Sequence, residues 1–285
     1  MADDDEKKAS AGGYEESKNL DPSEQEQAAH HAAPPAKVIH EILRKEGKEE
    51  LERRVGALFW SGLAAGLSMG FSFLTLAMIQ SGLPDEPWRR LLDSLGYSLG
   101  FVIVVLGRQQ LFTESTLTAV LPLLVRRDLS GWVSLARFWA IVLSANILGT
   151  LLFARLLAID GLFPDTVREA LGQVALSSVQ GAFWPKAIGA VLAGWLIALM
   201  IWLLPSARSA RLWVIVLLTY VVAVGGFSHI IAGSVEAAYA MFVGKASFGD
   251  YAIGFFAPTI VGNTLGGVAL VALLNHAPLA PDIQD

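Results

Sequence analysis

The chain of 285 residues is 54% hydrophobic and only 16% charged, and it contains no cysteine. Because the charged residues stand outside the long apolar runs, this composition predicts an integral membrane protein and excludes an ordinary soluble domain. The absence of cysteine excludes disulfides, zinc–thiolate sites and thiol redox chemistry. The formal net charge is −5, but residues 1–35 alone carry −6, so the remainder is nearly neutral and no affinity for nucleic acid follows.

The N-terminal part of the chain is polar. Residues 1–35 are rich in Asp, Glu, Lys, Ser, Ala and Gly, which predicts a disordered acidic tail and no cleaved signal peptide. Residues 36–54 are typical of an amphipathic helix on the cytoplasmic side, lying on the membrane surface or against the bundle. An ordinary solvated helix that leads into the first span is the alternative. The apolar face of this helix comprises Val38, Ile39, Ile42 and Leu43.

Residues 55–278 are predicted to form a channel domain with six transmembrane crossings, because one spanning helix needs about 20 apolar residues. The crossings are expected at roughly 55–80, 92–125, 137–159, 184–204, 212–243 and 250–275. The two halves, 55–159 and 184–278, hold three crossings each, so they must insert in opposite orientations. The sequence therefore predicts an all-α membrane protein with an inverted repeat, followed by a short C-terminal tail at 279–285.

Two of the six crossings are interrupted by polar or glycine-rich stretches. The apolar runs on either side of each interruption are too short to cross a bilayer alone. Interrupted spans at matching positions of two halves are the best sequence indication of a transport site, so we predict a pore where the breaks meet. The breaks contain Leu111, Phe112, Thr113 and Glu114 in the second crossing and Gly225, Gly226, Phe227 and Ser228 in the fifth.

Short matches in sequence support the repeat. The pattern Asn-Ile-Leu-Gly at 146–149 recurs as Asn-Thr-Leu-Gly at 263–266, 117 positions later, and Phe112 and Phe227 stand 115 positions apart. We expect Asn146 and Asn263 to form hydrogen bonds across helices where two spans cross, without contacting substrate.

Basic residues near the ends of the spans indicate the orientation, because Lys and Arg are retained in the cytoplasm. They precede the first crossing, follow the second and separate the fourth from the fifth, and all three places fall on one side. The opposite side, which includes Arg89 and Arg90, is poorer in net positive charge. Both termini are therefore predicted to be cytoplasmic.

Four ionisable residues stand at membrane depth, where a charge is costly and functional roles are frequent: Arg108, Glu114, His229 and Glu236. His229 follows a glycine pair, and its ring can donate or accept a proton near neutral pH. A buried histidine that only binds a carbonyl is the alternative. We expect Arg108 and Glu114 to pair with each other or with freed backbone groups. Glu236 follows His229 on one helix face, which leaves open a proton relay or an interhelical hydrogen bond.

Large apolar side chains near the breaks are candidates for constrictions that a bare anion crosses poorly. A weak acid avoids that barrier by taking up a proton, and exposed helix ends attract its anion. Ordinary packing is the alternative for each aromatic ring. The candidate constrictions are Tyr97, Phe101 and Val222, together with the two phenylalanines of the breaks.

These motifs resemble the formate/nitrite transporter family from about Gly56 to Pro278. Residues 111–114 are similar to the loop that breaks the family's second helix, and residues 226–229 to the break of its fifth helix with a central histidine. The resemblance is closest to bacterial inner-membrane members that carry Gly-Arg-Gln-Gln-Leu-Phe-Thr-Glu at this loop. It implies an aquaporin-like protomer, a homopentamer with one pore per protomer, and proton-linked passage of small monovalent weak-acid anions. In that scheme His229 lies between two constrictions and Thr113 faces it.

The chain departs from the family pattern near the pore. Ser228 stands where well-studied members carry an acidic residue, and Gly233 stands where they carry an asparagine. The vestibule lysine of many members falls near Ser178, and Lys186 is a candidate substitute a few residues later.

Other classes of function fit the sequence less well. The main alternative is an aquaporin-like channel for small neutral solutes, but neither break contains the Asn-Pro-Ala triplet of such channels. An enzyme is not expected, because we find no nucleophile–base pair and no cluster of metal ligands, and three of the five histidines precede the first span. Neither a metal nor a cofactor is predicted. A scaffold whose acidic tail recruits partners is a third alternative.

Overall fold

The computed structural model describes residues 21, 23–24, 32–126, 129–273 and 277, and regular structure in this part of the chain is entirely helical. The predicted tail at 279–285 and most of the tail at 1–35 lie outside the described residues. Numbered in chain order, the helices are α1 Ala36–Glu52, α2 Val55–Ser81, α3 Arg89–Leu106, α4 Phe112–Thr118, α5 Leu121–Arg126, α6 Leu129–Leu157, α7 Asp165–Val179, α8 Phe183–Ala207, α9 Arg211–Gly225, α10 Ile230–Phe242 and α11 Ala257–Leu265. Two π-helical turns, Asp250–Phe256 and Gly266–Leu273, flank α11.

Four helical segments are long and apolar enough to cross a membrane: Val55–Ser81, Leu129–Leu157, Phe183–Gly225 and Asp250–Ala269. The third has 43 residues and consists of α8 and α9, which pack against each other, so the chain reverses between them. Two shorter apolar helices, Phe112–Leu124 and Ile230–Phe242, lie within the predicted second and fifth crossings. The all-α class is confirmed, whereas the number of six crossings stays a prediction.

The two halves of the chain use the same kind of close helix crossing. In the first half α2 packs on α6, where a side chain on Gly66 would overlap the backbone of Asn146. In the second half α8 packs on α11, where a side chain on Gly194 would overlap the backbone of Asn263. Because only glycine lets two backbones approach so closely, each asparagine is fixed at a tight crossing.

The amphipathic helix α1 packs against the bundle, and its placement on the cytoplasmic side stays a prediction. Its contact face is narrower than the sequence indicated, since Ile39 and Leu43 are buried whereas Val38 and Ile42 are 46% and 39% exposed. A side chain on Gly47 would overlap the carbonyl of a residue in α4, so the two helices touch backbone to backbone. The reason is geometric: positions 39, 43 and 47 lie one above another on a helix, while 38 and 42 lie to one side.

Candidate functional site

The first break lies between α3 and α4. Arg108 adopts a left-handed backbone conformation, with φ of 53°, just after α3 ends. The backbone N–H of Phe112, the first residue of α4, donates to Asn146 Oδ1 at 2.9 Å. Asn146 Nδ2 donates to the carbonyls of Gly62 at 2.7 Å and Gln110 at 3.0 Å. Asn146 therefore pairs a helix-start N–H that would otherwise be buried alone, and it ties the break to α2.

The second break lies between α9 and α10 and repeats this arrangement. Gly226 is left-handed, with φ of 65°. The backbone N–H of Ile230, the first residue of α10, donates to Asn263 Oδ1 at 2.8 Å. Asn263 Nδ2 donates to the carbonyls of Ala190 at 2.8 Å and Ser228 at 2.9 Å. The hydrogen bonds predicted for the two asparagines are present, and each asparagine also holds a break, which the sequence did not indicate.

The structure changes which residues of the two breaks correspond. The helix starts Phe112 and Ile230 occupy equivalent places, as do the left-handed residues Arg108 and Gly226. Phe227 precedes its helix by three positions, so it is not the counterpart of Phe112. The match of the two phenylalanines in the sequence analysis was therefore wrong, because a shared residue type in a short loop does not fix the register.

His229 and Thr113 join the two breaks. Thr113 Oγ1 and His229 Nε2 are 2.8 Å apart, and both side chains are buried. The backbone N–H of Ala232 donates to His229 Nδ1 at 3.2 Å, so Nδ1 carries no proton in this arrangement. The neutral ring then bears its hydrogen on Nε2 and donates it to Thr113 Oγ1. This leaves the hydroxyl hydrogen of Thr113 directed to another acceptor.

Apolar side chains surround the histidine. The Phe101 ring meets the imidazole edge to face with 5.0 Å between centroids, and Tyr97 packs on Phe101 at 5.4 Å. Tyr97, Val222 and Phe227 line a cavity of about 730 Å³ that His229 also lines, which we call the histidine cavity. Of the candidate constrictions in α3 and α9, Phe101 thus contacts the imidazole, and Tyr97 and Val222 line the same cavity as His229.

Two residues of the first break, Leu111 and Phe112, do not contact the histidine. Leu111 is fully buried, and the Phe112 ring packs edge to face against Trp139 in α6 at 5.8 Å. Trp139 Nε1 donates to the carbonyl of Ser115 at 3.2 Å, so this tryptophan supports α4. These side chains anchor the break, whereas Thr113 points at the histidine.

Three cationic side chains line the histidine cavity, Arg89, Arg90 and Lys186, and Arg89 pairs with Asp85 at 2.8 Å. Lys186 Nζ donates to the carbonyl of Ser178 at 2.7 Å, while its role as a substitute for the vestibule lysine stays a prediction. Arg90 lies beside the second break: its Nη2 is 3.5 Å from the carbonyl of Ala223, and a Cβ on Gly226 would come within 2.6 Å of it. The sequence analysis used Arg90 only for orientation and missed its place at the break. The carboxyl side chains that also line the cavity are Asp85, Glu86, Asp93 and Glu236.

Two alternatives were predicted for Arg108 and Glu114, and the first, that they pair with each other, is wrong. Arg108 Nη2 lies 3.2 Å from Glu46 Oε1, and Glu114 Oε1 is buried without a hydrogen-bond partner in the part of the chain that the structure describes. The reason is that α1 packs over the first break and brings its own carboxylate to Arg108. All three residues line a second cavity of about 780 Å³, which we call the α1 cavity.

Glu50 links α1 to the first break. Its carboxyl group accepts hydrogen bonds from Thr118 Oγ1 at 2.7 Å and Gln110 Nε2 at 3.0 Å, and Arg53 Nη1 donates to Gln110 Oε1 at 3.0 Å. Burial raises the pKa of the Glu50 carboxyl above its ordinary value of 4.5, while the two hydrogen bonds act in the opposite direction. No sequence signal pointed to this contact, because Glu50 and Gln110 are far apart in the chain.

Glu236 lines the histidine cavity, as His229 does. Among the described residues no hydrogen bond joins the two side chains, so the relay between them stays a prediction. The same part of the chain holds no group of three or more His, Cys, Asp or Glu side chains that could bind a metal ion.

The fold and these motifs match known proteins. Residues 37–277 match the family model described as formate/nitrite transporter. The chain is 41% identical over 250 residues to the inner membrane protein YfdC of Escherichia coli K12. This alignment covers 88% of the present chain and 81% of YfdC. The chain is 28% identical to the formate channel FocA of Escherichia coli K12, over 61% of this chain and 62% of FocA.

Two solved structures share the fold. One is described as a pentameric formate channel with formate bound, with a TM-score of 0.68 and 22% identity over 79% of this chain and 98% of that chain. The other is described as an FNT family ion channel, with a TM-score of 0.69 and 19% identity over 85% of this chain and 98% of that chain. Because residues 37–277 match the family model, the chain belongs to the formate/nitrite transporter family. The members of this family are transporters and not enzymes.

Proposed function

We propose that the chain forms a transmembrane channel for small monovalent weak-acid anions such as formate or nitrite, with passage linked to a proton through His229. The observation that carries the proposal is the hydrogen bond between Thr113 and His229. The second break lines the histidine cavity, and the first break lines the α1 cavity. This bond therefore joins the elements that border the two cavities. Family membership and the similarity to a formate channel support the substrate class.

Charge and burial favour an acid that changes its protonation state on the way. Four carboxyl side chains line the histidine cavity beside its three cations, so an anion from solution would be attracted locally, at Lys186 and Arg90, and not by the cavity as a whole. Beyond them, Phe101 is fully buried against the imidazole and the fully buried Val222 lines the same cavity as His229, and neither side chain offers an anion a hydrogen bond. An unpaired charge at such a place costs several kcal/mol, about as much as in other dry protein interiors. A small neutral acid crosses the same place at far lower cost.

The Thr113–His229 pair can supply the proton. A proton taken up at His229 Nδ1 displaces the hydrogen bond from the Ala232 N–H and produces an imidazolium. Its Nε2 hydrogen then passes to Thr113 Oγ1, while the Thr113 hydroxyl hydrogen passes to the anion. The products are a neutral acid and a neutral imidazole, so one proton from the cavity accompanies each anion. The imidazole is left with its hydrogen on Nδ1, and loss of that proton with uptake of another at Nε2 restores the starting tautomer.

We place this pore in a six-crossing protomer with a broken second crossing, α3 with α4, and a broken fifth crossing, α9 with α10. Both termini would lie in the cytoplasm of a bacterium, and five protomers would assemble in the inner membrane with one pore each. A solved relative described as pentameric and a relative named as an inner membrane protein support this arrangement. Exposed tryptophans on the long helices, Trp60, Trp184 and Trp213, suit contact with lipid or with a neighbouring protomer.

Flux into liposomes tests the proposal. Purified protein is reconstituted with an internal pH indicator and exposed to formate, nitrite, hydrosulfide, acetate or lactate, and protein-free liposomes give the leak of each neutral acid. Glycerol entry is followed separately by light scattering as the liposomes swell. The proposal predicts passage of at least one acid anion above the leak, together with a proton, and no passage of glycerol. Glycerol passage without acid passage would favour the aquaporin-like alternative, and no passage of any solute would contradict both.

A further inference from the structure

Gly233 and Phe255 form a complementary pair in the wall of the histidine cavity. Gly233 lies one turn after His229 in α10, and its N–H donates to the His229 carbonyl at 2.9 Å. A Cβ on Gly233 would stand only 2.6 Å from Cε2 and 2.7 Å from Cζ of Phe255. The Phe255 ring thus occupies the space that a side chain at 233 would need. Both residues line the cavity together with the histidine.

The backbone around Phe255 holds this ring against α10. Phe255 lies in the π-helical turn Asp250–Phe256, and such turns change the direction in which side chains leave a helix. The Phe255 carbonyl accepts a hydrogen bond from Thr259 Oγ1 at 2.6 Å, and Tyr251 packs on the ring with 6.3 Å between centroids. Tyr251 in turn donates to Ser234 Oγ in α10 at 3.4 Å. The ring is only 1% exposed, so it is fixed in place.

A cation lies over the same ring. Lys186 Nζ is 5.9 Å from the centroid of Phe255, within the range of a cation–π contact. Because the ammonium is also held by the Ser178 carbonyl, its position relative to the ring is defined. An acid whose carboxylate binds Lys186 on its way to His229 would therefore bring the rest of its carbon chain against Phe255.

We infer that Phe255, seated in the space left by Gly233, is a specificity-determining residue that limits the acids reaching His229 to those of about formate and acetate size. This inference rests on the proposed function. Removing the ring should open the cavity wall beside the histidine, whereas the carboxylate end of the acid still meets Lys186. The size limit would then relax without loss of acid passage.

The test compares initial rates of formate, acetate and propionate in the liposome assay for the wild type, Phe255→Ala and Phe255→Leu. We expect the wild type to carry propionate at least about tenfold more slowly than formate, and Phe255→Ala to raise the propionate-to-formate ratio by about tenfold, the discrimination that one or two methylene groups commonly carry. Phe255→Leu, which keeps an apolar side chain of intermediate size, should raise the ratio less. Phe256→Ala, in the same π-helical turn, serves as the matched control and should leave the ratio unchanged.

The outcomes separate the inference from the proposed function. An unchanged ratio in Phe255→Ala, with formate flux retained, would overturn the inference and leave the channel proposal standing. A wild type that carries propionate as fast as formate would do the same. If Phe255→Ala loses all flux, the propionate-to-formate ratio of Phe255→Leu is used instead. An unchanged ratio in Phe255→Leu then overturns the inference. No flux of any acid in the wild type would overturn both.

Discussion

In both helix breaks an asparagine from the following crossing pairs the first N–H of the new helix and binds two carbonyls, yet the surroundings of the breaks differ. The first break is covered by α1, whereas the second opens onto the histidine cavity. The residue before the new helix is Leu111 in one break and His229 in the other, and only the histidine can accept a hydrogen bond from its own helix. The repeated asparagine contacts thus fix where the two helices start. The residue that precedes each helix, and the packing of α1 on the first break, make the two breaks chemically different.

The largest effects on stability should come from the asparagine that binds each break. Asn146→Ala and Asn263→Ala each leave one helix-start N–H and one carbonyl of the break buried without partners, and each should lower the free energy of unfolding by about 2–4 kcal/mol. Thermal unfolding in detergent measures this. The variants Asn146→Asp and Asn263→Asp keep the acceptor oxygen but place a second carboxylate oxygen against two carbonyl oxygens, so they should lose at least as much. A large loss of stability from one asparagine substitution and none from the other would show that the two asparagines do not have equivalent roles.

The next effect concerns the bond that joins the breaks. Thr113→Val keeps the shape of the side chain but removes the oxygen that accepts from His229, so formate flux should fall at least about tenfold, the usual contribution of a positioned proton-transfer group. Thr113→Ser retains the hydroxyl and should keep most of the flux. Liposome flux with equal amounts of each variant measures the difference. Equal flux in the valine and serine variants would remove the hydroxyl from the mechanism.

A smaller effect should be confined to the first break, because Glu50 has no counterpart at the second. Since burial raises the folded-state pKa of Glu50, the stability that its neutral form contributes is fully present below pH 4.5 and is lost as the pH rises through the folded-state pKa. Glu50→Gln should therefore remove part of the pH dependence of the melting temperature and stabilise the protein at pH 8 relative to the wild type.

Glu49→Gln, on the same helix and in the wall of the α1 cavity, is the control for this change. A melting temperature of Glu50→Gln that follows the wild type at every pH would show that the buried carboxyl does not govern the docking of α1.

The smallest effects should appear at the left-handed residues of the two breaks. The second break has glycine there, whereas the first has Arg108, whose conformation costs an ordinary residue about 1 kcal/mol. Arg108→Gly should therefore be neutral or slightly stabilising, although it loses the exposed pair with Glu46. Arg108→Ala loses only the pair and should cost less than about 1 kcal/mol. Chemical unfolding of the two variants side by side measures the difference, and a glycine variant less stable than the alanine variant would contradict this account.

The sequence predicted the all-α class and indicated the two gaps between helices, whereas the approach of Thr113 to His229 was implied by the family resemblance. The helical class and the gaps are local features, because a run that is too short to span and a polar interruption can be read within about 20 positions. The two asparagines were also visible, since their spacing repeats. What the pattern could not show was that each asparagine binds the break itself, because that contact depends on how three helices cross.

The rest of the site depends on contacts between distant segments. The pairing of Arg108 with Glu114 was a reasonable local expectation, but α1 supplies a competing carboxylate. The hydrogen bonds of Glu50 and the seat of Phe255 beside Gly233 join residues that share no periodic pattern. When charged or aromatic residues from distant segments pair, the sequence pattern around either residue does not reveal the contact.

The measurement that tests the central claim most directly is the pH dependence of formate flux in liposomes that contain the wild type, His229→Asn or His229→Phe. The wild type should show a flux that rises as the external pH falls, and both variants should lose that proton-linked profile, because neither side chain can take up and release a proton near neutral pH. A rate and a pH profile equal to those of the wild type in both variants would contradict the account.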